Sequence, residues 1–598
     1  MQPHLRNRIL QLTQADDFVR VELIQPLWNN YGTLSRVTLK GGLHPSVIVK
    51  HIQIPEQTGH PRGFGGAVSK ARKIRSYEVE THWYQHQNQR LPQQSPTPQC
   101  LDAFADGGEL FLLLEDLSVR GFDQVLGETT WTDISVVLGW LASFHAAFLG
   151  ESADGLWPCG TYWHLATRPE EFANIEGTRL HVFASLLDAR LRCGAFPSFV
   201  HGDAKLANFL FSRDRERVAA VDFQYVGRGS AMKDVAYFVG SCLSGPECER
   251  RESDLLDEYF SALRGHLPSD VDPVALEVEW RSLYPVAWAD FQRFMLGWSP
   301  GHQKLTDYSD ATTERAIDGI ITELAQAARE ACLAAGRFIQ ANRDRPLEVG
   351  SKGFASHAAD VVTEIDIQAQ AIILEKLQRT IDRYDLGVLA EEGESDNSRL
   401  QKHAFWTIDP MDGTQYFIEG QSGYATSIAL VAQCGTPILG AVYDPVEDSL
   451  YEAVKGGGVT RNGVRLKPMS SETTGAMVLF ADRSLRNYPQ FEWYQDLFDI
   501  RFVGGAVINA IQLLTTPNSV YLKAPKKPLG GCAIWDLAGV ALMVDEALGR
   551  GCTYDGGPLP LNRAESLFFN DIGFAFGSAD VDVEAVLAEL RAADPNAP

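Results

Sequence analysis

A chain of 598 residues, 45% of them apolar, carries enough hydrophobic side chains for about two to four packed domains. Its formal charge of −24 sets it against phosphodiester backbones and anionic membrane surfaces, so neither a nucleic acid polymer nor a membrane is expected as a partner. Small anions remain open to it, because bound cations invert the local field. Nine cysteines without a Cys-x-x-Cys pair fit neither a disulfide framework nor a zinc site, and Met1 to Asp17 lacks an apolar signal core. The expected compartment is the reducing cytoplasm.

In chain order, residues 19–24, 34–39 and 46–52 are alternating or β-rich, and helical periodicity runs from Ala71 through Tyr84. Residues 110–114 form an apolar strand ending in Glu115-Asp116-Leu117. An amphipathic helix carrying Leu138, Leu141, Phe144, His145 and Phe148 follows. The layout predicts a small β-lobe, a connecting strand and a helical lobe. The segment Phe199-Val-His201-Gly-Asp203-Ala-Lys205-Leu-Ala-Asn208 then sets Asp203 and Asn208 on one short loop, where one group can accept a hydroxyl proton while the other holds a metal. The apolar strand at 218–221 delivers Asp222 as a second metal ligand, which is what phosphoryl transfer from a nucleotide needs. Trp280, Tyr284, Trp288, Phe291, Phe294 and Trp298 recur later at helical spacing. They either pack the core or line an acceptor pocket holding a cation over their rings.

These residues resemble the kinase-like fold in its aminoglycoside phosphotransferase, choline kinase and ecdysteroid kinase branch. The resemblance rests on His201-Gly-Asp203-x4-Asn208, Asp222-Phe, Asp234-x-Ala, Leu114-Glu-Asp-Leu117, Leu141-Ala-x-Phe-His145-Ala and Val47-Ile-Val-Lys50. It implies Asp203 as catalytic base, Asn208 and Asp222 as magnesium ligands, and Lys50 on the nucleotide phosphates. Glu80 is expected to pair with Lys50, with Glu78 as its rival, and Glu115 to Leu117 to form the hinge beside adenine. ATP with one or two magnesium ions, and a small-molecule hydroxyl as acceptor, follow from the same resemblance. His145 and Asp234 read as braces of the His201 loop. The usual glycine-rich loop is reduced to Trp28-Asn-Asn-Tyr-Gly32-Thr33, with one glycine where backbone amides cradle phosphate.

Around residues 298–310 the composition turns polar and turn-rich, and after it Ile317, Ile320, Leu324, Ala328, Ala331, Ala335 and Phe338 recur at helical spacing. A boundary near residue 305 divides a domain at 1–304 from one at 305–598.

The second half centres on Trp406-Thr-Ile-Asp409-Pro-Met-Asp412-Gly-Thr414. A short apolar strand ends there in a turn that points two carboxylates into one small volume, a pairing stable mainly around a hard cation such as magnesium. Asp360-Val-Val-Thr-Glu-Ile-Asp366 upstream, Glu391-Glu392 at a strand end and Trp535-Asp536 at a helix start add enough acid for two or more ions. In that order and spacing the four motifs resemble the inositol monophosphatase superfamily, which includes bisphosphate nucleotidases and histidinol phosphatases. The implied architecture is a two-domain α+β and α/β chain, a bilobal protein-kinase-like fold followed by a layered αβαβα sugar-phosphatase fold. Glu391, Asp409, the Met411 carbonyl, Asp412 and Asp536 are implied to hold two or three magnesium ions. Thr414, with Glu391 and oriented by Asp366, is implied to activate the attacking water on a phosphomonoester. A homodimer through this half also fits the resemblance.

Substrate signals differ from that pattern. Inositol monophosphatases carry a sugar-binding carboxylate seven positions before the Trp-Asp aspartate, where this chain has Leu529. Lys523, Lys526 and Lys527 in the same loop could receive a second anionic group, as in bisphosphate nucleotidases, or remain solvated. Gly504-Gly505-Ala506 offers only backbone amides where the family has a hydroxyl, and Gly420-Gln-Ser-Gly-Tyr-Ala-Thr-Ser is similar to histidinol phosphatases. The expectation is a bifunctional enzyme that phosphorylates a small-molecule hydroxyl and hydrolyses a phosphomonoester in one pathway. Two alternatives stand beside it, a phosphatase regulated by a silent nucleotide-binding half and a scaffold with both sites silent.

Overall fold

The computed structural model describes residues 3–28, 31–53, 67–106, 108–345, 349–351, 361–468, 475–488 and 490–593. Asn29, Asn30 and Asp360 therefore lie outside the described residues. The chain divides into two compact units, Met1–Ile317 and Asp318–Pro598. The helix Asp307–Ala341 runs through that division, with Ile317, Ile320, Leu324, Ala328, Ala331 and Ala335 buried along it. No helix among the described residues is long and apolar enough to cross a membrane. No disulfide joins any of the nine cysteines.

The first unit opens with an antiparallel sheet of β1 (Asp17–Pro26), β2 (Gly32–Lys40), β3 (Ser46–Ile52), β4 (Cys100–Asp106) and β5 (Glu109–Glu115), in the order β1-β2-β3-β5-β4. Alternation along β3 sends Val47 and Val49 into a cluster with Leu5 and Ile9 of the helix Pro3–Thr13. The same two-residue period turns Lys50 to the opposite face, where the helix Ala67–His82 brings Glu80 against it. Helices Trp131–Ala147, Arg179–Arg192, Met232–Cys242, Gly245–Arg264 and Pro273–Trp298 form most of the rest, beside a small sheet of Phe122–Gln124, Phe209–Ser212 and Val218–Ala220. Their starts are encoded locally: Thr130 and Asp133 make a capping box, and Asp272 accepts the N–H groups of Val274 and Ala275 ahead of Pro273. Each such cap contributes about 1 kcal/mol. Trp83, stacked on Phe223 with centroids 4.6 Å apart, joins the end of the first long helix to the strand that delivers Asp222.

The second unit is layered. Seven strands follow one another in sequence order from Gly387–Ala390 to Val464–Arg465, all antiparallel except the first pair. Helix Glu364–Tyr384 lies on one face, where Trp406 Nε1 donates to Thr380 Oγ1 at 3.1 Å, and the Cys332 thiol of Asp307–Ala341 meets the carbonyls of Thr426 and Ala441. Helices Ala506–Gln512 and Ile534–Glu546 fill the space between this sheet and a five-stranded one in the order Asp499–Arg501, Val478–Phe480, Ser519–Lys523, Phe574–Gly577 and Arg550–Thr553. Helix Val583–Ala593 covers the far face through Val583, Leu587 and Leu590. The result is an αβαβα stack built because the inner strands, such as Ala404–Asp412, Ala425–Ala432 and Val478–Phe480, bury both faces. Its central helix starts at the carboxylate-bearing strand end.

Candidate active sites

In the first unit Lys50 Nζ lies 2.8 and 2.7 Å from the two oxygens of Glu80 and 3.2 Å from Asp222 Oδ1. Glu78 points elsewhere, pairing with Arg75 at 3.2 Å on the surface, so helix phase is settled in favour of Glu80. Burial alone would raise Asp222, but Lys50, Lys73 and Lys205 bring it down to about 2. Asp222 also holds a left-handed φ of +71°, a conformation a non-glycine residue keeps only where its surroundings impose it. Gln224 supports it, donating to Asp222 Oδ1 at 2.7 Å while accepting from Lys73 at 2.5 Å.

Asp203 sits at the end of a tight turn. Gly202 has φ +79°, and a Cβ there would come within 2.1 Å of the Tyr225 carbonyl, so only glycine fits. Asn208 Nδ2 donates to the Asp203 carbonyl at 2.8 Å and to its Oδ2 at 3.0 Å. That leaves Asn208 Oδ1 as the oxygen it can offer a cation. Lys205 Nζ donates to Asp203 Oδ2 at 2.8 Å. The loop is braced from behind: Asp234 accepts the N–H groups of His201 and Gly202, and His145 Nε2 meets Asp234 at 3.2 Å while its Nδ1 meets Tyr259 at 2.8 Å. Replacing Asp234 by Ala is expected to destabilise the unit by about 3 kcal/mol, since two buried N–H groups lose their acceptor, and to slow phosphoryl transfer at least about tenfold. Chemical denaturation and a rate assay check the two effects. At the predicted hinge, Glu115 spends its carboxylate on Arg120 at 3.2 Å and on the Gln99 N–H at 3.1 Å, and Leu117 is buried. What these two can offer a nucleotide is backbone.

In the second unit Asp409, Asp412 and Asp536 each place an oxygen within 4.8 Å of the others. Glu391, at the end of Gly387–Ala390, interacts with Asp409. Burial and then the neighbouring carboxylates hold Asp409 and Asp412 well above the ordinary carboxylate range, and Asp536 at about 6. An all-oxygen set of buried like charges fits magnesium, which relieves the repulsion, and does not fit a thiolate- or imidazole-seeking metal. Asp412 is fixed by the N–H groups of Ala506 at 3.1 Å and Val507 at 2.8 Å. Gly505 makes that approach feasible, because a Cβ there would lie 2.4 Å from Asp412 Oδ2. The amides of this loop thus serve the carboxylate, which explains the small residues at 504–506.

Thr414 Oγ1 lies 3.0 Å from Asp366 Oδ1 and 3.1 Å from the Met411 carbonyl. Asp366 is held in turn as the capping-box partner of Thr363, whose N–H donates to it at 2.8 Å. Magnesium at one hundred times its dissociation constant is expected to stabilise this unit by about 2.7 kcal/mol. Thermal melts with and without EDTA read the shift, and Asp536→Asn removes most of it.

Several residues escape a reading of local spacing. Lys205 was visible only as a lysine two places after Asp203, and Gln224, Tyr237 and Lys304 reach the first site through tertiary contacts. At the end of Ser519–Lys523, Lys523 is consumed by a half-buried ion pair with Asp482. Lys526 faces Tyr488, Lys527 is exposed, and Leu529 is 52% exposed. Three free lysines for a second phosphate are therefore reduced to two.

A unit with a buried lysine–glutamate pair beside a loop aspartate, followed by a layered unit with converging carboxylates, defines a two-domain phosphoryl-transfer enzyme. Residues 47–269 match the profile of the phosphotransferase enzyme family, and residues 321–594 that of the inositol monophosphatase family. Both are enzyme families; inositol monophosphatases depend on magnesium, and kinases use ATP with magnesium. An inositol-1-monophosphatase of Synechocystis sp. is 33% identical over 262 residues, 41% of this chain and 83% of that protein. A Nus factor SuhB of Xylella fastidiosa is 30% identical over 210 residues, 34% of this chain and 72% of that protein. A solved inositol monophosphatase from Anabaena aligns at 24% identity over 46% of this chain and 98% of its own, with a TM-score of 0.36. Through its second half the chain belongs to the inositol monophosphatase family.

Proposed function

We propose that the protein is bifunctional: the first half transfers the γ-phosphoryl group of ATP to a hydroxyl of a small molecule, and the second half hydrolyses a phosphomonoester. What supports this reading is that in one unit Lys50 pairs with Glu80 and Asp222, Asn208 with Asp203, and Lys205 interacts with both Asp203 and Asp222, while in the other Asp409, Asp412 and Asp536 converge, Glu391 interacts with Asp409, and Thr414 reaches the Met411 carbonyl.

Asn208 and Asp222 would hold magnesium in the first half, and Glu391, Asp409, the Met411 carbonyl, Asp412 and Asp536 in the second. Magnesium supplies charge neutralisation at the phosphoryl oxygens in both and acidifies water in the second. Lys50, pinned by Glu80, positions the nucleotide phosphates. Asp203 accepts the proton of the attacking hydroxyl, and catalysis comes from positioning and electrostatics. In the second half Thr414 has one proton, which it donates to Asp366. Its lone pairs then accept from the attacking water, and Asp366 backs the transfer. Thr414→Ala is expected to lower phosphate release about a hundredfold with KM unchanged, as steady-state kinetics will read.

Two such activities on one position would only hydrolyse ATP. They act instead on different positions or intermediates of one pathway, the phosphate serving as a temporary protecting or activating group. The test is a screen of the full chain over a small-molecule library for ADP formation and for phosphate release, with each kinase product then offered to the second half. Removal of the newly installed phosphate with efficiency equal to that for other esters would refute the pathway reading.

A further inference from the structure

The aromatic residues late in the first unit do not present empty faces. Trp280, Tyr284 and Trp288 are core, and Trp280 Nε1 donates to the Phe196 carbonyl. Nearer the catalytic loop, Tyr162, Trp163, Tyr237, Phe291 and Phe294 form one cluster. Lys304 Nζ sits 4.6 Å from the Tyr237 ring centre and 5.5 Å from that of Phe291, and the Arg168 guanidinium stands 4.9 Å from the ring centre of Phe294. The chain after Pro273–Trp298 turns back to achieve this: Ser299 N–H returns to the Met295 carbonyl and the Lys304 N–H to His302 Nδ1 at 3.1 Å.

This cluster adjoins the catalytic aspartate. The Tyr237 hydroxyl interacts with Asp203 and is 3.1 Å from that of Tyr162. Burial lowers the proton affinity of Lys304, Asp203 partly restores it and Lys205 opposes it, which places all three groups in one electrostatic neighbourhood. Lys304 has no ion pair with a carboxylate among the described residues.

Other carboxylates around the aromatic cluster are already engaged. Asp290 is paired with Arg293 at 2.8 Å and Lys233 at 3.3 Å, Asp188 with Arg192 at 2.8 Å and His164 at 3.3 Å, and Glu171 with Arg168 at 3.0 Å. Lys304 thus shares Asp203 with Lys205, which also faces Asp222, and the aromatic surface a cationic acceptor would use is occupied by the protein's own cations.

From this we infer that the acceptor of the first half is an anionic hydroxy compound, a carboxylate or a phosphate ester, whose charge is received by Lys304 beside Asp203. The inference rests on the kinase reading of this unit and deepens it. In the reaction the bond from the γ-phosphorus to the bridging oxygen of ADP breaks, a bond to the acceptor oxygen forms, and the hydroxyl proton passes to Asp203. Lys304 takes no part in those bond changes; it orients the acceptor.

The experiment is calorimetric titration of the full chain, in magnesium and a non-hydrolysable ATP analogue, with four short hydroxy compounds: glycerate, glycerol 3-phosphate, glycerol and choline. At least one anion is expected to bind about tenfold or more tightly than glycerol and choline. Binding of glycerate alone identifies a carboxylate acceptor, and of glycerol 3-phosphate alone a phosphorylated one. Lys304→Met is expected to lose about tenfold in anion affinity while still binding the ATP analogue, which shows that the variant is folded. Preference for choline or glycerol, absence of binding by both anions, or unchanged anion binding by Lys304→Met overturns the inference. Failure of the wild type to bind the ATP analogue is a separate result that removes the kinase reading itself.

Discussion

Asp409→Asn is expected to lower phosphate release about a thousandfold or more while leaving ADP formation unchanged. A thousandfold is about 4 kcal/mol of transition-state stabilisation, within what a metal ligand shared at the centre of a phosphoryl site supplies. Asp409 is buried between Glu391, Asp412 and Asp536, so no other described carboxylate occupies its central position. The same substitution has an opposite effect on stability. In EDTA the wild type carries buried like charges that the amide removes, so metal-free Asp409→Asn melts higher than metal-free wild type, and loses most of the stabilisation by magnesium. The pH dependence follows in sign. Asp536 titrates at about 6 in the fold against ~3.9 unfolded, so between those values the metal-free fold holds a proton the unfolded chain lacks. That contribution is fully present below the unfolded value and is lost as pH rises through about 6, an effect that saturating magnesium suppresses. Denaturation in EDTA at pH 4.5 and 7.5 reads it. A variant that lost phosphate release without gaining metal-free stability would show that the carboxylates are not held in mutual repulsion.

The parts of these sites that a sequence discloses are those whose geometry the local chain fixes. Asp203 and Asn208 share a short loop, and Asp409 and Asp412 share one turn, so spacing alone brings each pair together. Lys50 is different. Strand alternation places it on the cleft face, but choosing Glu80 over Glu78 requires the phase of a helix that starts at Ala67, and two residues along a helix reverse the direction of the side chain. Lys304 lies about a hundred residues after Asp203, and its position depends on a turn closing onto an aromatic cluster drawn from two helices and the turn at Tyr162 and Trp163. Asp482 neutralises Lys523 from the turn after a different strand, Val478–Phe480, so the lysines of that loop read as a free cationic patch until the sheet is assembled. The fold itself was more legible, because apolar strands ending in acids, and helices starting on capping residues, are written in consecutive residues. The helix Asp307–Ala341 is legible only in part: its apolar period is readable from Ile317 onward, whereas its first turns carry the buried polar side chains of Ser309, Thr312 and Thr313 and read as a polar, turn-rich stretch.

Asp203→Asn is expected to reduce acceptor-dependent ADP formation about a thousandfold, with nucleotide affinity unchanged and phosphate release by the second half intact. A positioned general base contributes about a hundredfold to ten-thousandfold, and the amide keeps the size of the side chain while losing the ability to take a proton. The nucleotide-facing groups do not depend on it: Lys50 is held by Glu80 and Asp222, and Asp222 by Gln224. Lys205, by contrast, loses the negative charge it faces at 2.8 Å, while the one oxygen the amide keeps can still accept from Asn208. The variant therefore separates two explanations of a lost activity. A collapsed loop would weaken magnesium-nucleotide binding through Asn208, whereas a missing base leaves binding intact and slows only the chemical step. Calorimetric binding of an ATP analogue alongside single-turnover kinetics distinguishes them. Unchanged ADP formation in Asp203→Asn would mean that the first half does not transfer phosphate through this aspartate, and that its nucleotide site, if occupied, serves to sense rather than to react.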